Sequence, residues 1–242
     1  MADDHKPMRS FGRVKGRPLK PRQAGLVDTL LPHLAIEIPE EGGIDLAFPT
    51  AEETLIPPTD EARPAPARVI LEIGFGGGEH LVAQAARDPD ALFLGAEPFL
   101  NGVGSCLRHI EESGVANVRL HHGDARAVID RLPPARLDRV YILFPDPWPK
   151  TRHWKRRLIQ PDFLAALARV LKPGGEVRFA TDWKHYASWT LEVFLRDADF
   201  TWLAERADDW RLAWPGHVPT RYEVKALGDT KPLYLRFRRQ GG

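Results

Sequence analysis

From residue 68 onward the chain alternates between two textures. Short apolar, β-branched runs, beginning with RVILEI, give way to stretches whose apolar residues recur every third or fourth position. This pattern predicts strands at 68–73, 91–97, 118–121, 137–144 and 176–180, and helices at 79–87, 99–113, 125–131, 161–171 and 183–196. Gly114 and the KPGG run at 172–175 close two of these helices, because glycine most easily takes the left-handed turn at a helix end. Two further β-like runs, at 200–203 and 233–238, follow without a clear helix between them. Strands alternating with helices imply a parallel sheet covered on both faces, and the two late strands suggest an antiparallel hairpin at one edge. The predicted fold is α/β: a doubly wound, mostly parallel seven-stranded sheet with an antiparallel edge hairpin.

Before residue 67 the pattern weakens. Residues 1–22 mix Gly, Pro and basic side chains with few apolar ones, too few to offset the entropy of ordering, and read as an irregular arm. A short helix is predicted at 23–31, stopped by Pro32. Residues 39–66 are rich in Pro and Glu around one apolar run at 44–48, and read as a linker or loosely packed extension. The chain thus divides into a basic arm (1–22), an acidic Pro-rich extension (23–66) and a main domain (67–242).

Composition narrows the function classes. A chain of 242 residues with 43% hydrophobic side chains supports one ordinary core. A lone cysteine, Cys106, excludes an internal disulfide and a Cys-rich zinc site, and fits a reducing, cytoplasmic setting. No apolar run approaches the roughly 18 residues of a membrane span, and MADDHKPMRS has no signal-peptide core. Neither a membrane nor a metal is expected as partner. The formal charge of +1 is misleading, because residues 1–22 hold seven Lys or Arg against two Asp. Residues 23–62 hold nine Asp or Glu and no Lys or Arg, and the remaining 180 residues carry 27 basic and 22 acidic side chains. Such an arm points to nucleic acid only if other features agree.

Open parallel sheets bind ligands beyond the carboxyl ends of their strands, and the unusual polar residues collect there. The first strand ends in Glu72-Ile-Gly74-Phe-Gly76-Gly-Gly78, where glycines let the backbone turn sharply and approach a ligand. Glu97, at the end of the second strand, suits a ribose diol, and Asp124, in the GDA after the third, can accept from an adenine amino group. A dinucleotide fingerprint needs a glycine at position 79, which is Glu79, so a nicotinamide dehydrogenase is disfavoured. The spacing G-x-G-x-G preceded by Glu72 resembles the first motif of class I S-adenosylmethionine methyltransferases, which implies a Rossmann-like methyltransferase fold and S-adenosyl-L-methionine as cofactor.

The fourth strand runs into Phe144-Pro-Asp146-Pro-Trp148-Pro-Lys150, whose three prolines stiffen a loop at the same edge of the sheet. Arg152, His153, Trp154, Lys155, Arg156 and Arg157 follow, a run suited to phosphate contacts. Taken together and in order, EIGFGGG, FPDPWPKTRHWKRR, ATDWKHY and Thr220-Arg221-Tyr222-Glu223 are similar to the bacterial tRNA (guanine-N7-)-methyltransferase family over residues 68–238. The RSFGRVKGR start also resembles that family's N-terminal arm. The resemblance implies S-adenosylmethionine against Glu72, Gly74, Gly76, Glu97 and Asp124, with Asp146 catalytic at the junction of cofactor and base. It further implies substrate contacts from Lys150, Asp182, Thr220, Arg221, Tyr222 and Glu223, and RNA along Arg152, His153, Trp154, Lys155, Arg156 and Arg157. The implied reaction is methylation of guanine N7 at position 46 of the tRNA variable loop, by a monomer or homodimer.

Other readings of the same residues stay open. Asp182 also suits the cap of the helix predicted from 183, and Thr220 to Glu223 the turn entering a strand. His121 and His122 receive no role. A methyltransferase of the same fold acting on another RNA base or a small molecule, and a tRNA-binding module without catalysis, are the competing functions.

Overall fold

The computed structural model describes residues 16–50 and 65–241. Its strands are β1 (Arg68–Ile73), β2 (Ala91–Ala96), β3 (Val118–His121), β4 (Leu137–Leu143), β5 (Leu171–Thr181), β6 (Phe200–Trp202) and β7 (Leu233–Arg239). They form one sheet in the order β3-β2-β1-β4-β5-β7-β6. The first five run parallel, and β7 is inserted antiparallel to both β5 and β6. The expected doubly wound, mostly parallel sheet with antiparallel pairing at one edge is therefore present. Its last two strands are joined by the long connection 203–232 rather than by a tight hairpin turn.

The sheet is buried on both faces, which is why its strands read as nearly continuous apolar runs. In β1, Val69, Leu71 and Ile73 face one core cluster and Ile70 the other. The first cluster packs under α5 (Ala125–Arg131), α6 (Pro161–Val170) and α7 (Lys184–Leu195), through Val128, Phe163, Leu167 and Phe194. The second lies against α3 (Glu79–Arg87) and α4 (Leu100–Ser113), through Leu81, Val103 and Leu107. Gly114 ends α4 with φ 70°, as its position predicted. The KPGG run differs from expectation. Leu171 already pairs with Leu137, the chain makes an excursion, and register resumes where Glu176 meets Arg139.

The N-terminal segment departs further from the sequence reading. The first helix, α1, spans Pro21–Thr29, and Pro32 does not stop the helical path but sits in the first turn of α2 (Leu31–Leu34). Proline is tolerated there because a first-turn N–H has no helical partner to lose. Leu26, Leu30 and Leu34 join the core cluster that contains α4, and Gln23 Nε2 donates to Ser105 Oγ at 3.0 Å. Part of the stretch 39–66, read as a linker or loosely packed extension, is fitted into the core at residues 44–48. The Ile36 amide donates to Leu120 O at 2.8 Å, and Ile44, Leu46 and Phe48, spaced two apart, bury into the first cluster. The Arg119 guanidinium fixes this strap by donating to Ala47 O at 3.1 Å. The arm before residue 16 and the acidic stretch 51–64 lie outside the described residues.

Candidate active site

Strand order reverses between β1 and β4, and at such a switch point the loops following the two strands diverge and leave a crevice. The loop after β1 turns through Gly74, Gly76 and Gly78 at φ 71°, 55° and 80°, a region that residues with a Cβ rarely adopt. Glu97, just past β2 and 7% exposed, shapes this loop. One carboxylate oxygen accepts from the Gly76 amide and the other from the Phe99 amide, both at 2.8 Å. Burial pushes the Glu97 carboxyl above its ordinary range, and the two amide bonds oppose that shift. Asp124 caps α5 by accepting from the Arg126 amide at 3.0 Å.

On the other wall, the loop after β4 holds Phe144 and Trp148 at φ 51° and 42°, strained values for residues with side chains. Asp146 lies between them, open to solvent at the mouth of the crevice. The surrounding loop still strips enough water from its carboxyl to raise its pKa from the ordinary value. Gly74, Gly76, Glu97, Asp124, Asp146, Trp148, Lys155, Arg156, Arg157 and Tyr222 line this one cleft, together with apolar Ile73, Ala96, Leu143 and Leu158.

Residues 66–235 match the family described as "Putative methyltransferase". A tRNA (guanine-N(7)-)-methyltransferase of Caulobacter vibrioides is 55% identical over 236 residues, 97% of this chain and 96% of the relative. A tRNA (guanine-N(7)-)-methyltransferase of Bradyrhizobium diazoefficiens is 50% identical over 230 residues, 95% of this chain and 92% of the relative. The chain belongs to the tRNA (guanine-N(7)-)-methyltransferase family.

Not every position marked by the family's motifs lies in the cleft of this family member. Glu72 shares the face of Ile70, is 2% exposed, and pairs with His80 Nδ1 of α3 at 2.7 Å. Lys150, Arg152 and Arg221 are exposed outside the cleft lining, as is His153, half-buried against Trp148. Asp182 does not cap α7. Its carboxylate accepts from the Gly228 amide at 2.7 Å, while the Lys184 amide at the start of α7 donates to Asp229 at 2.8 Å. Thr220 caps α8 (Arg221–Lys225) by accepting from the Glu223 amide at 3.2 Å, so the segment opens a helix rather than a strand. Glu223 turns inward and accepts from His217 Nε2 at 2.7 Å and from the Tyr234 hydroxyl. Burial raises the Glu223 carboxyl, but those two bonds outweigh it and hold the group below its ordinary range.

Two members of the basic run, read as RNA contacts, turn inward, although Arg157 still contributes to the cleft lining. Trp154 packs on His185 and Trp189, and Arg157 is 2% exposed. Both are drawn inward by aromatic side chains of α7, which no local spacing announces.

Sequence reasoning also missed Gly102. A Cβ at this position would lie 2.5 Å from the Gly76 carbonyl oxygen, so α4 presses directly on the glycine loop. Gly102→Ala must displace that peptide, at about the 1–3 kcal/mol typical of overpacking. The expected outcome is a roughly tenfold loss of cofactor affinity by calorimetry, with a lower unfolding temperature. Among the described residues no group of His, Cys, Asp or Glu could hold a metal ion, and no helix is long and apolar enough to cross a membrane.

Proposed function

We propose that this chain is a cytoplasmic enzyme that transfers the methyl group of S-adenosylmethionine to N7 of a guanine in tRNA, at position 46 of the variable loop. One observation carries the reading: a single cleft joins the Glu97 and Asp124 carboxylates to Asp146 on the strained loop and to the basic run beside it. Full-length similarity to tRNA (guanine-N(7)-)-methyltransferases supports the choice of acceptor.

The residues present fit the cofactor. Glu97 keeps lone pairs for ribose hydroxyls beyond the two amides it already binds. Asp124 suits the adenine amino group, and nothing lies within 4 Å of where a Gly74 Cβ would point, so ligand can approach the backbone there. When bound, S-adenosylmethionine supplies an electrophilic methyl on a sulfonium and a neutral thioether as leaving group. Guanine N7 already carries an in-plane lone pair, so the protein need remove no proton before attack. Its residues align the base and exclude water. The purine gains positive charge during transfer, and the role assigned to the Asp146 carboxylate is to stabilise that charge or to accept from guanine N1–H or N2–H.

The test is incubation of labelled S-adenosylmethionine with an unmodified tRNA transcript, followed by chemical cleavage at 7-methylguanosine. A single cut in the variable loop is expected. Label without cleavage would move the chemistry to another atom, and no label with cofactor still bound would remove catalysis from the reading. The arm is part of the same proposal. Residues 1–15 carry four Lys or Arg. Their removal weakens tRNA binding and flattens its salt dependence, by about 0.7–0.9 in log–log slope for each phosphate they neutralise. An unchanged slope in filter-binding titrations would make the arm a bystander.

A further inference from the structure

We propose that Arg157 is a positioning residue for methyl transfer, which holds the loop 144–150 in the strained shape that brings Asp146 and Trp148 to the cleft. The inference rests on Asp146 acting at the acceptor base, as proposed above.

Arg157 is 2% exposed, yet no carboxylate pairs with it among the described residues, and its Nη1 has no partner there either. Burying a guanidinium without a counter-ion is expensive, and an apolar side chain of similar volume would pack more cheaply. Three aromatic rings enclose the charge instead: Trp154, Tyr186 and Trp189, with centroids 5.1, 5.0 and 5.3 Å from the guanidinium carbon. Ring faces offer a cation partial compensation.

What the arrangement achieves is visible in its donors. Nε donates to Pro147 O at 3.0 Å and Nη2 reaches Trp148 O at 3.5 Å, so one planar group spans consecutive carbonyls just after Asp146. Nη2 also lies 3.2 Å from His185 Nδ1 of α7, which ties the loop to a rigid helix. Trp148, whose carbonyl is held, is one of the two residues with strained positive φ that flank Asp146. Such backbone persists only where its surroundings over-determine it. Lysine would bring a point charge that can neither bridge two carbonyls nor stack among three rings. The neighbouring basic residues differ in kind: Arg152 and Lys155 are exposed, and Arg156 lies over the cleft-lining Trp148 ring at 5.0 Å.

The test compares full-length wild type, Asp146→Asn, Arg157→Gln and the double variant. Arg157→Gln is expected to lower kcat by about a hundredfold, the scale of a catalytic group misplaced by an ångström, with cofactor affinity within about threefold. The losses are expected to be strongly non-additive, the double variant being only a few-fold slower than Asp146→Asn, because Arg157 acts through Asp146. The salt slope of tRNA binding should stay at the wild-type value, whereas Arg152→Gln should reduce it by about 0.9 if Arg152 meets a phosphate.

Additive losses in kcat would overturn the proposal. So would a slope reduced by about 0.9 in Arg157→Gln, which would make Arg157 a phosphate contact. If Arg157→Gln does not fold, Arg157→Lys carries the same cycle, with an expected loss of about tenfold. Failure of wild type to methylate tRNA would refute the functional reading instead, a result distinct from additivity between two active-site variants.

Discussion

Replacing Asp146 by asparagine lowers kcat by about two to three orders of magnitude and changes cofactor affinity by no more than a few fold. The magnitude is that of removing one preorganised electrostatic contact from a transition state. Asparagine keeps the shape and one acceptor oxygen, so the loop 144–150 need not rearrange. What it lacks is the negative charge that opposes the growing charge on the purine. That charge also sets a pH dependence. Partial loss of water to the surrounding loop raises the Asp146 carboxyl above the ordinary aspartate range, so on acidification it protonates earlier than a fully solvated aspartate would. In the role proposed for Asp146 the active form is the carboxylate. In wild type, kcat at saturating cofactor and tRNA therefore falls on the acid side at a higher pH than a solvated aspartate would give. In Asp146→Asn this acid limb disappears. A variant with weakened cofactor binding and unchanged kcat would move Asp146 out of the catalytic role.

Glu97→Gln acts at the opposite end of the cleft and reverses the pattern, with cofactor affinity falling by about a hundredfold. Both Glu97 oxygens are engaged by backbone amides at 2.8 Å. Glutamine can serve one of them, but must turn an amino group toward the other amide or abandon it. Charge-assisted bonds of this kind contribute about 1.5–3 kcal/mol each, and removing one accounts for the expected change. The Gly76 amide is then released, so the loop loses the shape that admits a ligand. Calorimetric titration with S-adenosylmethionine is the direct check, and an unchanged Kd would place the ribose elsewhere. Residual kcat at saturating cofactor should stay within about tenfold of wild type, since the role proposed for Glu97 is at the ribose hydroxyls and not at the reacting atoms.

The two variants separate the halves of one cleft, and the sequence was not equally informative about them. On the cofactor side, G-x-G-x-G after an apolar run, Glu97 after the next and Asp124 after the third are signals carried within single strand-to-helix units. The structure brings Gly74, Gly76, Glu97 and Asp124 to the cleft. Of the acceptor-side residues to which the motifs gave a role, Asp146, Tyr222, Lys155, Arg156 and Arg157 line it and the others do not. Asp182 is taken up by Gly228, 46 residues away, and Glu223 by His217 and Tyr234. Neither the 46-residue separation of the first pair nor the turns that bring His217 and Tyr234 back to Glu223 leave a local periodicity.

The sequence alone determined the α/β alternation, the late pair of strands, the sharp turn after β1 and the chemistry gathered at the sheet's carboxyl edge. Each follows from interactions within a few residues: the two-residue period of a strand, the glycines' tolerance of positive φ, the proline-stiffened loop. Only the tertiary structure decided which way each motif side chain turns. Glu72 faces inward because α3 supplies His80. Arg157 leaves the basic surface because Trp154, Tyr186 and Trp189 enclose it. Residues 44–48, read as part of a loose extension, close over the core because the first cluster accepts three side chains at alternate positions. Burial depends on what the rest of the chain brings into contact, and that partner is absent from any short window of sequence.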